Sequence, residues 1–225
     1  MVVQKSSSRK IINVLSVISA ITAIVFDFFD YTLLYSIFKP LTTILILSLL
    51  FFVQNSELSK FKNIIIVALI FCLIGDIFLL KDEYFVLGLG SFLLGHVLFA
   101  TGFIKLEGFH IRWISLLVLA GIGAGLFFWL QSDLGAFELP VGIYVVVIVF
   151  MAWQGTGLFL KKQQRAYALI GIAVLLFMFS DTIIAINKFK SPIKLAGPII
   201  LSTYWMSIAL IANATYSLLN NGQKR

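Results

Sequence analysis

The sequence predicts an all-α polytopic membrane protein, a bundle of eight transmembrane helices forming one domain over residues 1–225. Three observations carry this expectation. Hydrophobic residues fill 60% of the 225 positions and charged residues only 12%, too little polar surface to cover a soluble domain. Mean hydropathy is +1.04. Apolar runs of roughly 18–25 residues recur along the chain, which is the length a helix needs to cross a bilayer core.

The first run, about 11–29, follows the basic stretch KSSSRK (Lys5–Lys10). That start mimics a signal peptide, but no small-residue cleavage site follows, so the run is expected to be a span. The second, about 33–53, carries Lys39 and Pro40; a proline inside a helix removes a backbone hydrogen bond and bends it. The third, about 63–80, contains Asp76 within LIGDIFLL, and the fourth, about 84–104, contains Ser91 and His96. Gly88, Gly90 and Gly95 of the fourth run and GIGAG (121–125) of the fifth, about 112–130, suit close helix approach. They lack the strand–loop–helix order of a phosphate loop. The sixth run is about 140–159, the seventh about 166–186 with Ser180 and Asp181 in FMFSDTIIAI, and the eighth about 194–219 with Tyr204. Cys72, the single cysteine, lies inside a span and offers no disulfide framework.

The formal charge of +7 is scattered over loops, which describes a topology and not a nucleic-acid surface. In an eight-span arrangement Lys5, Arg9, Lys10, Lys60, Lys62, Lys105, Arg112, Lys161, Lys162, Arg165, Lys224 and Arg225 share one side. Only Lys81, Lys188, Lys190 and Lys194 fall on the other. The positive-inside rule then places both termini in the cytoplasm.

Orientation converts position into depth. Lys39, Asp76 and Asp181 fall in the outer half of the bilayer, as does Ser91, with His96 near the midplane and Tyr204 between. Ionisable groups at such depths are costly and usually face a bundle interior or cavity. Plainer roles compete for three of them: Lys39 is near enough to an interface to snorkel, His96 could tie two helices together, and Tyr204 could simply pack. Asp27 and Asp30 at the outer end of span one, and Glu107 and His110 in a loop, are expected to be solvated. Trp113, Trp129, Trp153 and Trp205 fit interfacial belts.

LIGDIFLL and MFSDTIIA echo each other four spans apart, as a four-plus-four duplication would require. Two carboxylates in one low-dielectric site do not both stay ionised, which leaves a proton donor beside an acceptor. That equips a site for general acid–base chemistry or a proton relay. No metal site is expected, because only His96 and His110 exist and the second is in a loop. A serine nucleophile is not indicated, since Ser91 and His96 are five residues apart and face different ways.

The GD at Gly75–Asp76, the following Phe85, Gly88, Leu89, Phe92, Gly95 and His96, the SD at Ser180–Asp181, the KP at Lys39–Pro40, and Tyr204 form an ordered set. Together they resemble the YhhN family of integral membrane lysoplasmalogenases, from the second span to the eighth. The chain departs from that pattern in YWMSIALIA, where Ile208 stands near an expected glutamine. The resemblance implies hydrolysis of the vinyl ether bond of lysoplasmalogens in a cell membrane, a bacterial inner membrane, with a lysophospholipid and membrane lipids as partners. The products would be a fatty aldehyde and a glycerophospho-ethanolamine or -choline, made without a cofactor. It implies Asp76 and Asp181 as the acid–base pair, with the choice of acid open, and His96 as orienter or relay. Lys39 would meet the phosphate, and Ser91, Ser180 and Tyr204 would contact substrate. Two other classes compete: a proton-coupled transporter, favoured by the echo, and a non-catalytic lipid-binding protein, favoured by Ile208.

Overall fold

Eight α-helices follow one another through short connections in a computed structural model that describes residues 2–53 and 55–222. They are α1 (Val2–Phe28), α2 (Thr32–Ser48), α3 (Ser59–Phe78), α4 (Phe85–Glu107), α5 (Trp113–Leu134), α6 (Glu138–Lys161), α7 (Arg165–Phe189) and α8 (Ala196–Gly222). Short 3₁₀ turns at Leu49–Phe52, Asp82–Tyr84 and Gly135–Phe137 complete the described elements. Lys224 and Arg225, assigned above to one side of the membrane, lie outside the described residues, as does the side chain of Lys5.

Among the described residues, seven helical segments are long and apolar enough to cross a bilayer, not the expected eight. The difference has one cause. Trp113–Lys161 reads as a single stretch of 49 residues, because only the short turn at Gly135–Phe137 separates α5 from α6. A straight helix of that length would run about 73 Å, more than twice the bilayer core. Instead Gly135 adopts φ +51°, where a residue without Cβ is unstrained, and the chain doubles back. Ser115 and Thr156 hydroxyls then meet at 2.9 Å near one end of the hairpin, and Gln131 donates to Glu138 at 2.6 Å near the other.

Helix pairing follows the sequence echo. The hairpins α1–α2, α3–α4, α5–α6 and α7–α8 each pack internally, α2 also packs on α3, and α6 on α7. Two cross-contacts close the bundle, α4 against α6 and α8 against α2. Moving each helix four places along the chain, cyclically, exchanges these contacts, as a four-plus-four arrangement requires. The packing of α1 and α3 on α8 also crosses between the halves and has no counterpart of like extent from α5 and α7 onto α4. Polar ties hold α1 there: Asn13 and Asn213 exchange amide hydrogen bonds of 3.0 and 2.9 Å, and Arg9 Nε donates to Asn213 Oδ1 at 2.9 Å. Such ties matter where lipid offers no hydrophobic drive for association.

The core is aromatic and aliphatic, with Phe99, Phe103 and Phe177 fully buried. The outer faces are equally apolar; Ile114 and Leu117 of α5 are 81% and 70% exposed, as lipid contact favours. Several polar residues lie elsewhere than the sequence indicates. His110 is buried, its main chain exchanging hydrogen bonds with the side chain of Gln154 on α6 (3.0 and 3.2 Å). Glu107 accepts from Lys162 and Tyr167 at 2.7 and 2.5 Å. Asp27 is half-buried against Gly197, where any Cβ would collide with its carboxylate. Trp113 and Trp129 are exposed as a belt requires, whereas Trp153 and Trp205 are buried. The loop and helix-end groups pack onto a neighbouring helix and the two tryptophans turn into the bundle, contacts that position along the chain does not reveal.

Candidate active site

Asp76 lies two residues before the end of α3 and is buried to 1% exposure. Its Oδ2 accepts two hydrogen bonds, from Thr43 Oγ1 of α2 at 2.5 Å and from Tyr204 of α8 at 2.9 Å. Trp205 Nε1 donates in turn to Thr43 Oγ1 at 3.3 Å. Gly75 leaves room for the Phe92 ring, which a Cβ there would meet at 2.6 Å. Phe92 in turn packs edge-on against Tyr204, with ring centroids 5.5 Å apart.

Asp181, on α7, has a matching environment from the opposite helices. Its Oδ2 accepts from Tyr144 of α6 at 2.6 Å, and His96 Nε2 of α4 stands 3.7 Å away. That is too long for a hydrogen bond, and both ring nitrogens of His96 lack a hydrogen-bond partner among the described residues. The imidazole is held by aromatic contact, edge-on to Phe177 at 4.5 Å and to Tyr144 at 5.3 Å. The two carboxylates thus share one logic. Each sits on the third helix of its half, takes a hydroxyl from the second helix, and faces a residue on the fourth helix of the other half. They share no hydrogen-bond donor; buried Cys72 lies within electrostatic reach of both.

Lys39 is 5% exposed on α2, one turn before Thr43. Its Nζ donates to the Leu79 carbonyl at 3.3 Å and lies 5.3 Å from the centre of the Tyr35 ring. Asp76 and Asp27 are its acidic neighbours. The serines point to main chain: Ser91 to Leu87 O at 2.9 Å within its own helix, and Ser180 to Ile200 O at 3.1 Å across to α8. Ile208, one turn beyond Tyr204, is fully buried in the apolar core.

A narrow cavity of about 60 Å³ opens among α4, α5, α6 and α7. Phe85, Leu89, Phe92, Phe127, Met178 and Phe189 make much of its wall, and only Tyr144, Asp181 and Thr182 bring polar side chains to it. The Thr182 hydroxyl is committed to Met178 O at 2.8 Å. Asp181 with its tyrosine is therefore the one acid–base pair on the wall. Asp76, Lys39, His96 and Tyr204 stand behind that wall, while Leu79 joins the two regions by lining the cavity and offering its carbonyl to Lys39. Sequence reasoning missed Tyr144 and Thr43. Thr43 carried a signal, since i and i+4 share a helix face with Lys39; Tyr144, alone among the apolar residues of VGIYVVVIVF, carried a fainter one.

These features define a polytopic helical membrane protein with buried carboxylates on α3 and α7, the second of them lining a narrow, largely apolar cavity. The profile of the YhhN family matches residues 34–215, which include every residue just described around the two carboxylates. The chain belongs to the YhhN family. It is similar to Lysoplasmalogenase TMEM86A of Bos taurus, 36% identical over 153 residues, covering 66% of this chain and 63% of that protein. The Homo sapiens protein of the same name is 34% identical over 154 residues, with the same shares, 66% and 63%. Lysoplasmalogenase TMEM86B of Homo sapiens is 31% identical over 146 residues, 64% of this chain and 59% of that protein. The match thus spans just under two-thirds of these relatives' length. No solved structure matches the chain significantly.

Proposed function

We propose that this protein hydrolyses the vinyl ether bond of lysoplasmalogens, releasing a fatty aldehyde and a glycerophospho-alcohol. The observation that carries the reading is the Asp181–Tyr144 pair on the wall of an otherwise apolar cavity. The names of the relatives support the substrate class. A hydrocarbon chain in the cavity brings the ether against Asp181. In its protonated form Asp181 gives a proton to the alkene carbon distal to oxygen, and an oxocarbenium-like cation forms. Water then adds to the carbon beside the oxygen while the Asp181 carboxylate takes the water's proton. The hemiacetal collapses to aldehyde and alcohol, and one water is consumed overall. No nucleophile or redox group is required.

Tyr144 holds Asp181 Oδ2, and Oδ1 accepts no hydrogen bond from the described residues, so one oxygen is available for transfer. Asp76 stays ionised, held by Thr43 and Tyr204, and its charge favours the cation without touching it. Glycoside hydrolysis divides work between two carboxyls in a related way. His96, 3.7 Å from Asp181, orients or relays. Lys39 meets the phosphate from the outer side of the membrane, with both termini cytoplasmic. Ser91 and Ser180, turned to main chain, shape the helices that carry substrate contacts, and Tyr204 acts through Asp76.

The test is aldehyde release from a 1-alkenyl lysophospholipid by purified protein in liposomes. Folded, monodisperse protein that releases none would overturn the reading. A proton-coupled transporter is the second reading, favoured by the repeated halves with a carboxylate in each. Substrate-dependent proton uptake into vesicles without aldehyde would establish it.

A further inference from the structure

A groove of about 280 Å³ runs along the outer surface between α4 and α6. Its banks are Val86, Gly90 and Leu93 on one side and Leu139, Pro140 and Ile143 on the other. Val86, Leu139 and Ile143 are 52%, 73% and 49% exposed, so in a bilayer the groove faces lipid chains. Its floor is made by Leu89 and Tyr144, and both also line the internal cavity that holds Asp181. Groove and cavity are two sides of one partition, a single residue thick. Gly90 leaves space on the α4 bank: a Cβ there would meet nothing within 4 Å.

From this geometry we propose that the α4–α6 groove is the lateral portal by which a single-chain lipid passes from the bilayer to Asp181. Leu89 and Tyr144 form the gate, and the choice of a lysolipid as occupant rests on the function proposed above. The lining is wholly apolar apart from the tyrosine hydroxyl, which points inward to Asp181. A hydrocarbon chain therefore slides along the groove without leaving a polar group unsatisfied, and it need not cross the aqueous phase. Because the gate tyrosine also donates to Asp181, displacing its ring for entry releases the carboxylate, and its return restores the hydrogen bond behind the loaded chain. A second groove, about 630 Å³ between α5 and α6, touches the cavity only through Phe127 and includes Glu138. Its charge and its thinner connection suit a passing chain less well.

The experiment uses the full chain in liposomes with a 1-O-alkyl lysophosphoethanolamine bearing a photoreactive group at the chain end. This probe has no vinyl ether, so its binding is read without hydrolysis. The portal predicts cross-links to the α7 wall of the cavity in the wild type. It predicts at least a tenfold loss of them in Gly90→Phe, whose Cβ enters open space. Val86→Trp, filling the same groove one helical turn away, should act alike. Gly90→Ala and Val146→Phe, the latter facing the α5–α6 groove, should label as the wild type does. Full labelling in both groove-filling variants, or loss in Val146→Phe alone, would overturn the portal. Cavity labelling that is lost in Gly90→Phe while the wild type releases no aldehyde supports the portal and removes only the hydrolase reading.

Discussion

Tyr144 shows how a single hydroxyl sets the behaviour of the site. Hydrogen bonds to charged groups are worth about 1.5–3 kcal/mol, so Tyr144→Phe should lower turnover by roughly 10- to 100-fold while keeping the ring against His96. Unchanged kcat in that variant would show that Asp181 needs no orientation. Asp76→Asn and Asp181→Asn should each abolish turnover, with the double variant little worse, because members of one catalytic unit are non-additive. Near-normal activity in either folded single variant would remove the carboxylate mechanism. Lys39→Met separates binding from chemistry. The phosphate keeps its charge as the cation forms, so the variant should raise KM and leave kcat largely intact. A change in kcat at saturating substrate would instead make Lys39 a partner of Asp76. These candidates were legible in sequence because an ionisable group in an apolar run is conspicuous. Their division was not: Asp181 faces the cavity and Asp76 does not, which depends on helix rotation.

At the scale of elements, close approach and loop anchoring decide stability. Gly155 of α6 faces Val174 of α7, and a Cβ there would lie 2.6 Å from the valine side chain. Gly155→Leu should therefore lower the melting temperature by several degrees, since overpacking costs about 1–3 kcal/mol, whereas Gly90→Ala should not. Equal melting temperatures for the two would show that α6 and α7 separate freely. The α4–α5 loop is the second such element. Burial, reinforced by Lys161, holds the His110 imidazole below its ordinary pKa, although Glu107 opposes the shift. A histidine depressed in the fold adds stability above its unfolded pKa, about 6.5, and that stability is lost as pH falls from there toward the folded value. Thermal melts between pH 8 and 5 should show a steeper loss for the wild type than for His110→Asn. Parallel curves would place the imidazole in solvent.

The whole molecule turns on a parity. Seven uninterrupted apolar segments would put the termini on opposite sides of a membrane; eight helices put them on the same side. The hydrogen bonds linking Ser115 to Thr156 and Gln131 to Glu138 make α5 and α6 antiparallel neighbours, so the even count governs. With the basic residues concentrated in one set of loops, reporter fusions after Lys162 and at the C-terminus should both report cytoplasm. A signal from the far side at either point would invert every depth assigned to Lys39, Asp76 and Asp181.

Hydropathy and periodic length alone determined that the chain is a helical membrane bundle, because each span must satisfy its own backbone hydrogen bonds and announces itself by composition. The positions of Asp76, Asp181, His96 and Lys39 were equally visible, as was the echo of the two halves, since these are properties of linear order. Helix rotation and lateral neighbours are not. Only the tertiary structure decided that Thr43 and Tyr204 hold one carboxylate and Tyr144 the other. It alone buried His110 beneath Gln154. The physical reason is common to these contacts. A nearly all-apolar helix carries little amphipathic signal to say which face is inward, and its azimuth is set by the side chains of helices distant in sequence.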